Sequence, residues 1–321
     1  MKTPCSIRRG FTVVELATVM ATASVLLSVM VPAMQDLQDA GRRRECQNNL
    51  KRIGLALHNY HDVYSVFPPG WVLAYRDASS HSGYGWQAAI LPYVDQATVF
   101  NRLTPSLPPG PPDDISSLAL SAYQCPSSSA DDLNAFRGGY GTSNYTGNYG
   151  SEPIPRWTTG RMESWWPGGV EAADRRLPAP LLFGAPERDP PAQQGSRRQR
   201  RGRGGIFRWN SNVKIRDVTD GTSNSIAIGE RSVISGSGIW IGVQSNRSEN
   251  DAVTDASFWS PINASLTGYS SEHGNGVQVG LVDGSVRFLD AGVASLPTRG
   301  VLQNLADISD GEIVPPDALG K

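Results

Sequence analysis

Two hydrophobic patterns follow one another at the start of the chain. From Phe11 to Met34 the sequence FTVVELATVMATASVLLSVMVPAM is apolar on every face, 24 residues interrupted by one charge, Glu15. A helix of that length runs about 36 Å, enough for the roughly 30 Å hydrocarbon core of a bilayer. The pattern therefore predicts a transmembrane segment over 11–34. Beyond it, Cys46, Leu50, Ile53, Leu57, Tyr60 and Tyr64 recur at four-three spacing. That spacing predicts that the same helix continues over 35–66 as an amphipathic extension, with one apolar stripe packed on another layer. The double proline of VFPPG, Val66 to Gly70, ends it. Gly41 and Gly54 are two points where it is open to interruption.

Farther along, GWQAAILPYVDQATVFNRL, Gly85 to Leu103, reads as a second helix with a break near Pro92, burying Ile90, Leu91, Val94, Val99 and Phe100. The period then changes to two. In EHGNGVQVGLVDGSVRFL, Glu272 to Leu289, Val277, Val279 and Leu281 alternate with Gln278, Gly280 and Val282. Asp283-Gly284 supplies a type I′ turn before the chain returns, which predicts a β-hairpin. VKIRDVTDGTSNSIAIGER, Val213 to Arg231, reads as a short strand, a turn at Asp220-Gly221 and the strand SIAIGE. The aromatics of NYTGNYG, Asn144 to Gly150, are read as covering a loop-rich core in preference to stacking on a sugar. Leu177 to Gly205, rich in proline, glycine and arginine, is an exposed insertion with no core of its own.

Composition changes this picture little. With 39% hydrophobic and 18% charged residues in 321, the chain has material for a sizeable core. Twenty-nine basic residues nearly cancel 30 acidic ones, so no global field recruits nucleic acid, and no specific nucleic-acid partner is expected. Thirty-four glycines and 23 prolines favour short strands and loops outside the N-terminal region.

Candidate chemistry is sparse. His58 and His61 of HNYHD share a helical face but lack a third ligand, so they read as a solvated or packed pair. His273 stands nine residues before the Asp283-Gly284 pair. Along an extended strand that separates them by roughly 30 Å, so the two do not meet, and Asp283 is read as serving its own turn. G-x-S-x-G, P-loop, H-E-x-x-H and paired CxxC patterns do not occur. No enzyme, catalytic residue, metal ligand or cofactor is assigned.

The N-terminal order of a short basic leader, Gly10, Phe11 and Glu15 resembles the class III leader of type IV prepilins and of type II secretion pseudopilins. The resemblance implies cleavage between Gly10 and Phe11 by prepilin peptidase, loss of the 1–10 leader with Cys5, and N-methylation of Phe11. Glu15 becomes the residue that meets the terminal amine of a like or related pilin subunit during assembly. A cation is needed there, because a lone carboxylate at membrane depth costs roughly 2.5 to 3.5 kcal/mol. Pro32 falls where pilins carry a helix kink. Major pseudopilins often bind calcium in a C-terminal loop, so the resemblance leaves open a calcium site drawn from Asp251, Asp255 and Glu272.

The rest of the chain is similar to a large planctomycete family of unknown function. It joins such a leader to a helix like CQNNLKRIGLALHNYHD, a CPS motif (Cys125 to Ser127), a DGTSN motif (Asp220 to Asn224) and a terminal H, nine residues, DG motif at His273, Asp283 and Gly284. Together the readings imply an α+β, pilin-like fold: a long N-terminal helix packed on an antiparallel β-sheet with loop insertions, residues 67–321 forming the extracytoplasmic body. The expected location is the inner membrane, single-pass. In such an exported body Cys46 and Cys125 form a disulfide or remain two free buried thiols. The function implied is a pseudopilin-like envelope subunit; the alternative is a membrane-tethered ligand-binding module that builds no filament.

Overall fold

The computed structural model describes residues 12–72, 83–103, 111–154, 156–158, 161–163, 204–208, 210–243, 251–257, 259–294 and 300–315. The leader, its Gly10–Phe11 cleavage point, and residues 177–203 of the insertion lie outside these. So do the side chains of residues 29, 31–33, 35 and 36, and with them the expected kink at Pro32. The chain divides into two compact units, Met1–Arg44 and Glu45–Lys321.

Helix α1 runs from Val13 to Tyr64, 52 residues, and neither Gly41 nor Gly54 interrupts it. A single glycine costs a helix only about 1 kcal/mol relative to alanine, less than its neighbours recover. At the N-terminus Glu15 Oε2 accepts from the backbone N and the hydroxyl of Thr12, while Glu15 N donates to Thr12 Oγ1. This is a capping box, T-x-x-E, which satisfies helix-end donors reciprocally. The described large apolar side chains from Val13 to Met34, Val14, Leu16, Leu26 and Met30 among them, are exposed. Among the described residues, no helix is long and apolar enough to cross a membrane.

In the second unit the expected stripe is buried at Cys46, Leu50, Ile53, Leu57 and Tyr60, joined by Ala56, and Tyr64 lies partly buried beside it. Residues 37–45 are exposed, so the stripe begins at Cys46 and not at the start of the predicted extension. Ser65 takes a left-handed conformation (φ 59°) and its N–H donates to His61 O, closing the helix before the prolines.

The stripe packs on a five-stranded sheet. Its strands are β1 (Tyr145–Gly150), β2 (Ile226–Glu230), β3 (Val253–Asp255), β4 (Gly276–Leu281) and β5 (Val286–Asp290), in the order β3-β1-β2-β4-β5. The pairs β1/β2, β2/β4 and β4/β5 are antiparallel, as expected. Edge strand β3 departs from that expectation by pairing parallel to β1, with Val253 opposite Gly147. Leu50, Ile53, Ile228 and Tyr145 share one core cluster, while Val277, Val279 and Leu281 build a second with Leu302 and Leu305 of the helix Val301–Ala306. The sheet is thus covered on two sides, which explains why every residue of β1 and β4 is buried.

Three local readings are corrected. The segment from Gly85 to Leu103 is three short turns, Trp86–Ala89, Leu91–Tyr93 and Ala97–Phe100, because Pro92 starts a new turn and Asp95 adopts φ 63°. Its apolar set still faces inward. Residues 213–218 form no strand; Ile215–Asp217 is a 3₁₀ turn capped by Asp217 on Lys214 N. Finally, the β4–β5 loop is not type I′. Of Asp283 and Gly284 only Gly284 has positive φ, 83°, and Leu281 and Ser285 close a three-residue loop around Val282–Gly284. That length places the left-handed glycine last.

The chain leaves β1 at Gly150 (φ 120°) and comes back against it at Gly204 and Gly205. Gly205 N donates to Tyr149 O at 2.7 Å, and a Cβ on Gly150 would stand 2.5 Å from Gly205 N.

Candidate functional site

Four buried side chains from four parts of the second unit meet at one point. Cys46 comes from α1 and is joined to Cys125 by a disulfide with Cα atoms 5.1 Å apart, which settles the two cysteine readings in favour of the bond. Cys125 follows the 3₁₀ turn Ser121–Tyr123, and its N–H donates to Asn144 Oδ1 at 2.9 Å. His273 lies in the turn before β4, where its N–H donates to Ser271 Oγ and Ser271 Oγ donates to Gly276 O. Glu230 ends β2 and accepts from Gln278 N through Oε2 at 2.8 Å.

His273 Nε2 stands 3.4 Å from Cys125 Sγ and 3.1 Å from Glu230 Oε1. One donor atom from each of the four residues lies within 4.8 Å of every other. Glu230 Oε1 is buried and close to the imidazole, yet no aligned hydrogen bond reaches it. The proximity and the missing alignment describe the same contact: carboxylate oxygen and ring nitrogen are adjacent but not in a donor-acceptor line. Beside the cluster is a small cleft lined by Cys125, Ser128, Asn144, Glu230, Arg231 and Glu272. It has room for about one water. Cys125, 8% exposed, borders the cleft, while Cys46 is fully buried.

Arg231, next to Glu230, is itself fully buried. It donates to the carbonyls of Ser235 and Leu266, and desolvation followed by the Arg137 charge pushes its pKa well below the usual range. Asp251 opposes that shift and is ion-paired with Arg137. Asp255 caps Ser257 N, and Glu272 accepts from Ser129 N and Oγ. The three acids considered for calcium are thus engaged separately, and among the described residues they do not form a shared ligand group.

Asp283 is far down the hairpin from His273 and serves its turn, accepting from Ser285 N at 2.9 Å and Ser285 Oγ at 2.6 Å. The turn is held between two other motifs. Asp283 N donates to Thr222 O, and Val282 N to Ser225 O, in the DGTSN region. On the other side Gly284 lies against α1, where a Cβ on Gly54 would stand 3.3 Å from Gly284 Cα. Asp220 accepts from Asp310 N and Gly311 N, and Asn224 Oδ1 from Val314 N, so the same motif also ties down the C-terminal segment. His58 and His61 pack their rings on Phe67 at 6.2 and 5.1 Å. The histidine pair is a packed one.

Sequence reasoning missed Glu230. The available signal was an acid ending the apolar run SIAIG, a position where strand alternation places it inward. It found His273 and the cysteines but not that they meet, since no sequence spacing joins residues 46, 125 and 273.

No curated protein and no solved structure matches the chain significantly. A family model does, over residues 35–176 and 187–294, well over half of the chain. The unmatched stretch between those segments falls at the start of the proline- and arginine-rich insertion, and the match covers all four side chains of the buried cluster. The chain therefore belongs to the family described as a protein of unknown function, DUF1559 (SBP_bac_10).

Proposed function

We propose that the chain is a pseudopilin-like subunit of the cell envelope, processed by prepilin peptidase at Gly10–Phe11 and assembled through the first part of α1. The observation that carries this reading is the row of exposed apolar side chains on that helix: Val14, Val19, Val25, Leu26 and Met30 are each more than 60% exposed. A soluble monomer rarely leaves so long an apolar surface open, so lipid tails and neighbouring helices are its natural cover. Glu15 fits the same reading. Its capping box with Thr12 keeps the carboxylate at the first turn, where this reading has it meet the new terminal amine of a neighbouring subunit.

The rival, a tethered ligand-binding module, draws less support, because the cleft that the described residues form beside the buried cluster has room for about one water. Crosslinking of membranes containing wild type or Glu15→Val tests the assembly reading. Wild type is expected to give oligomers that the variant loses, and equal oligomer yields would sink it. Mass spectrometry of the mature chain tests processing separately: methylated Phe11 is expected, and an intact Met1 terminus would remove the prepilin reading.

A further inference from the structure

The convergence at His273 asks for something that the disulfide alone does not explain. In a nucleophilic triad the imidazole bridges two partners, one on each ring nitrogen, with the acid behind and the nucleophile in front. Here Cys125 Sγ and Glu230 Oε1 both face the same nitrogen, Nε2. Three electron-rich atoms aimed at one small volume describe the surroundings of a cation. The fourth donor, Cys46 Sγ, completes the set. Zinc bonded to nitrogen, oxygen and sulfur at about 2.0 to 2.3 Å places its ligands about 3.3 to 3.8 Å apart along the tetrahedron edges. The observed 3.4 Å from Cys125 to His273 and 3.1 Å from His273 to Glu230 are close to those edges already.

We propose that Cys46, Cys125, Glu230 and His273 form a zinc site when the cysteines are reduced, so that one point of the fold carries either a disulfide or a metal crosslink. The chemistry balances simply. A dithiol or phosphine reductant delivers two electrons to the disulfide, the S–S bond breaks, and two protons give two thiols. Zn²⁺ then binds both sulfurs as thiolates and displaces those two protons to solvent. The imidazole binds through its neutral Nε2, and Glu230 contributes Oε1, leaving Oε2 on Gln278 N as it stands. The bonded sulfurs must part to the edge of the tetrahedron, and the remaining donor pairs, all within 4.8 Å of one another, adjust to it. In reverse, a two-electron oxidant of the disulfide or quinone class takes the electrons from the thiolates, re-forms the bond and releases the ion. Zinc is the favoured ion because two thiolates with imidazole and one carboxylate are borderline-soft donors in a closed, four-coordinate set. The inference rests on the second unit alone and is independent of how α1 assembles.

The test uses the full chain, reduced anaerobically with a phosphine and titrated with Zn²⁺ or Co²⁺ as the probe. One metal per chain is expected, with the intense visible absorption of tetrahedral Co²⁺ and a thiolate charge-transfer band, both absent from the oxidised protein. His273→Ala and Glu230→Gln, which keep both cysteines, are expected to bind more than about tenfold more weakly and to lose the tetrahedral spectrum. Equal affinity and spectrum in wild type and His273→Ala would mean binding by the cysteines alone and would overturn the site. Should reduction unfold the chain, near-ultraviolet circular dichroism decides: Zn²⁺ is expected to restore the folded signal in wild type but not in His273→Ala. Failure to restore it in wild type would equally overturn the proposal.

Discussion

The two ends of α1 carry similar residues and meet opposite fates. Before residue 45 its described leucines, valines and methionines are exposed; after it Cys46, Leu50, Ile53 and Leu57 are at most 2% exposed. The helix is continuous, so propensity does not distinguish them. What differs is the supply of partners within the chain. The second stretch has a sheet to pack against, Leu50 sharing one core cluster with Ile228 and Tyr145, and a disulfide to hold it there. The first has only its own surface to offer, and its stability in water rests on a capping box and on side-chain-to-backbone bonds such as Thr22 Oγ1 to Thr18 O. A helix alone in water gains little from propensity, and most of its stability comes from what it packs against.

That contrast is open to attack at several points. The largest expected effect is on the buried half. Replacing both Cys46 and Cys125 by alanine opens a loop of 79 residues and should destabilise the second unit by about 4 kcal/mol, read as a shifted denaturant midpoint. An unchanged midpoint would show that the stripe holds without its tie. Next, Gly54→Leu drives a side chain into the backbone of the Gly284 turn and should cost about 1 to 3 kcal/mol. The same change at Gly41, whose Cβ meets nothing within 4 Å, should leave the midpoint in place. The pair measures how different the two halves are at matched chemistry.

Deleting residues 1–44 should move the thermal midpoint of the remainder by only a few degrees, since its cores are built from residues after that point. Loss of cooperative unfolding on deletion would break the comparison. The smallest effect concerns His61, whose pKa burial lowers from its ordinary 6.5, with Asp62 opposing the shift. The unfolded chain therefore binds that proton more readily than the folded one. Stability should be flat in this respect above pH 6.5 and should fall as the pH drops below it, a slope that His61→Gln would lessen in acid unfolding curves.

Periodicity made much of the architecture legible. The four-three stripe located the buried face of α1 to the residue, and strict alternation with Asp-Gly located the β4–β5 hairpin. The turn type was misread because Asp-Gly fits both a two-residue loop and a three-residue loop, and only pairing of Leu281 with Ser285 decides between them. Short elements escaped for a different reason. Val253–Asp255 is three residues long and pairs parallel, so neither its length nor its neighbours in sequence announce it. The fragments of 86–100 keep helical spacing in their apolar positions while Pro92 and Asp95 break the backbone, so burial and the break near Pro92 were read correctly and the second break, at Asp95, was not. In the buried cluster, the two cysteines and His273 were visible but Glu230 and the meeting were not, because contacts among Cys46, Cys125, Glu230 and His273 arise only once the sheet has brought its strands together.

The closeness of Gly150 to Gly204 and Gly205 has a consequence for the sequence between them. A stretch of chain whose two ends are already clasped by the sheet contributes little to folding through its length: doubling a loop adds only about 0.6 kcal/mol of closure cost. The clasp works as a port. Proline- and arginine-rich sequence can enter there, grow or be replaced with small effect on the cores, and the interruption of the family match after residue 176 falls within that port.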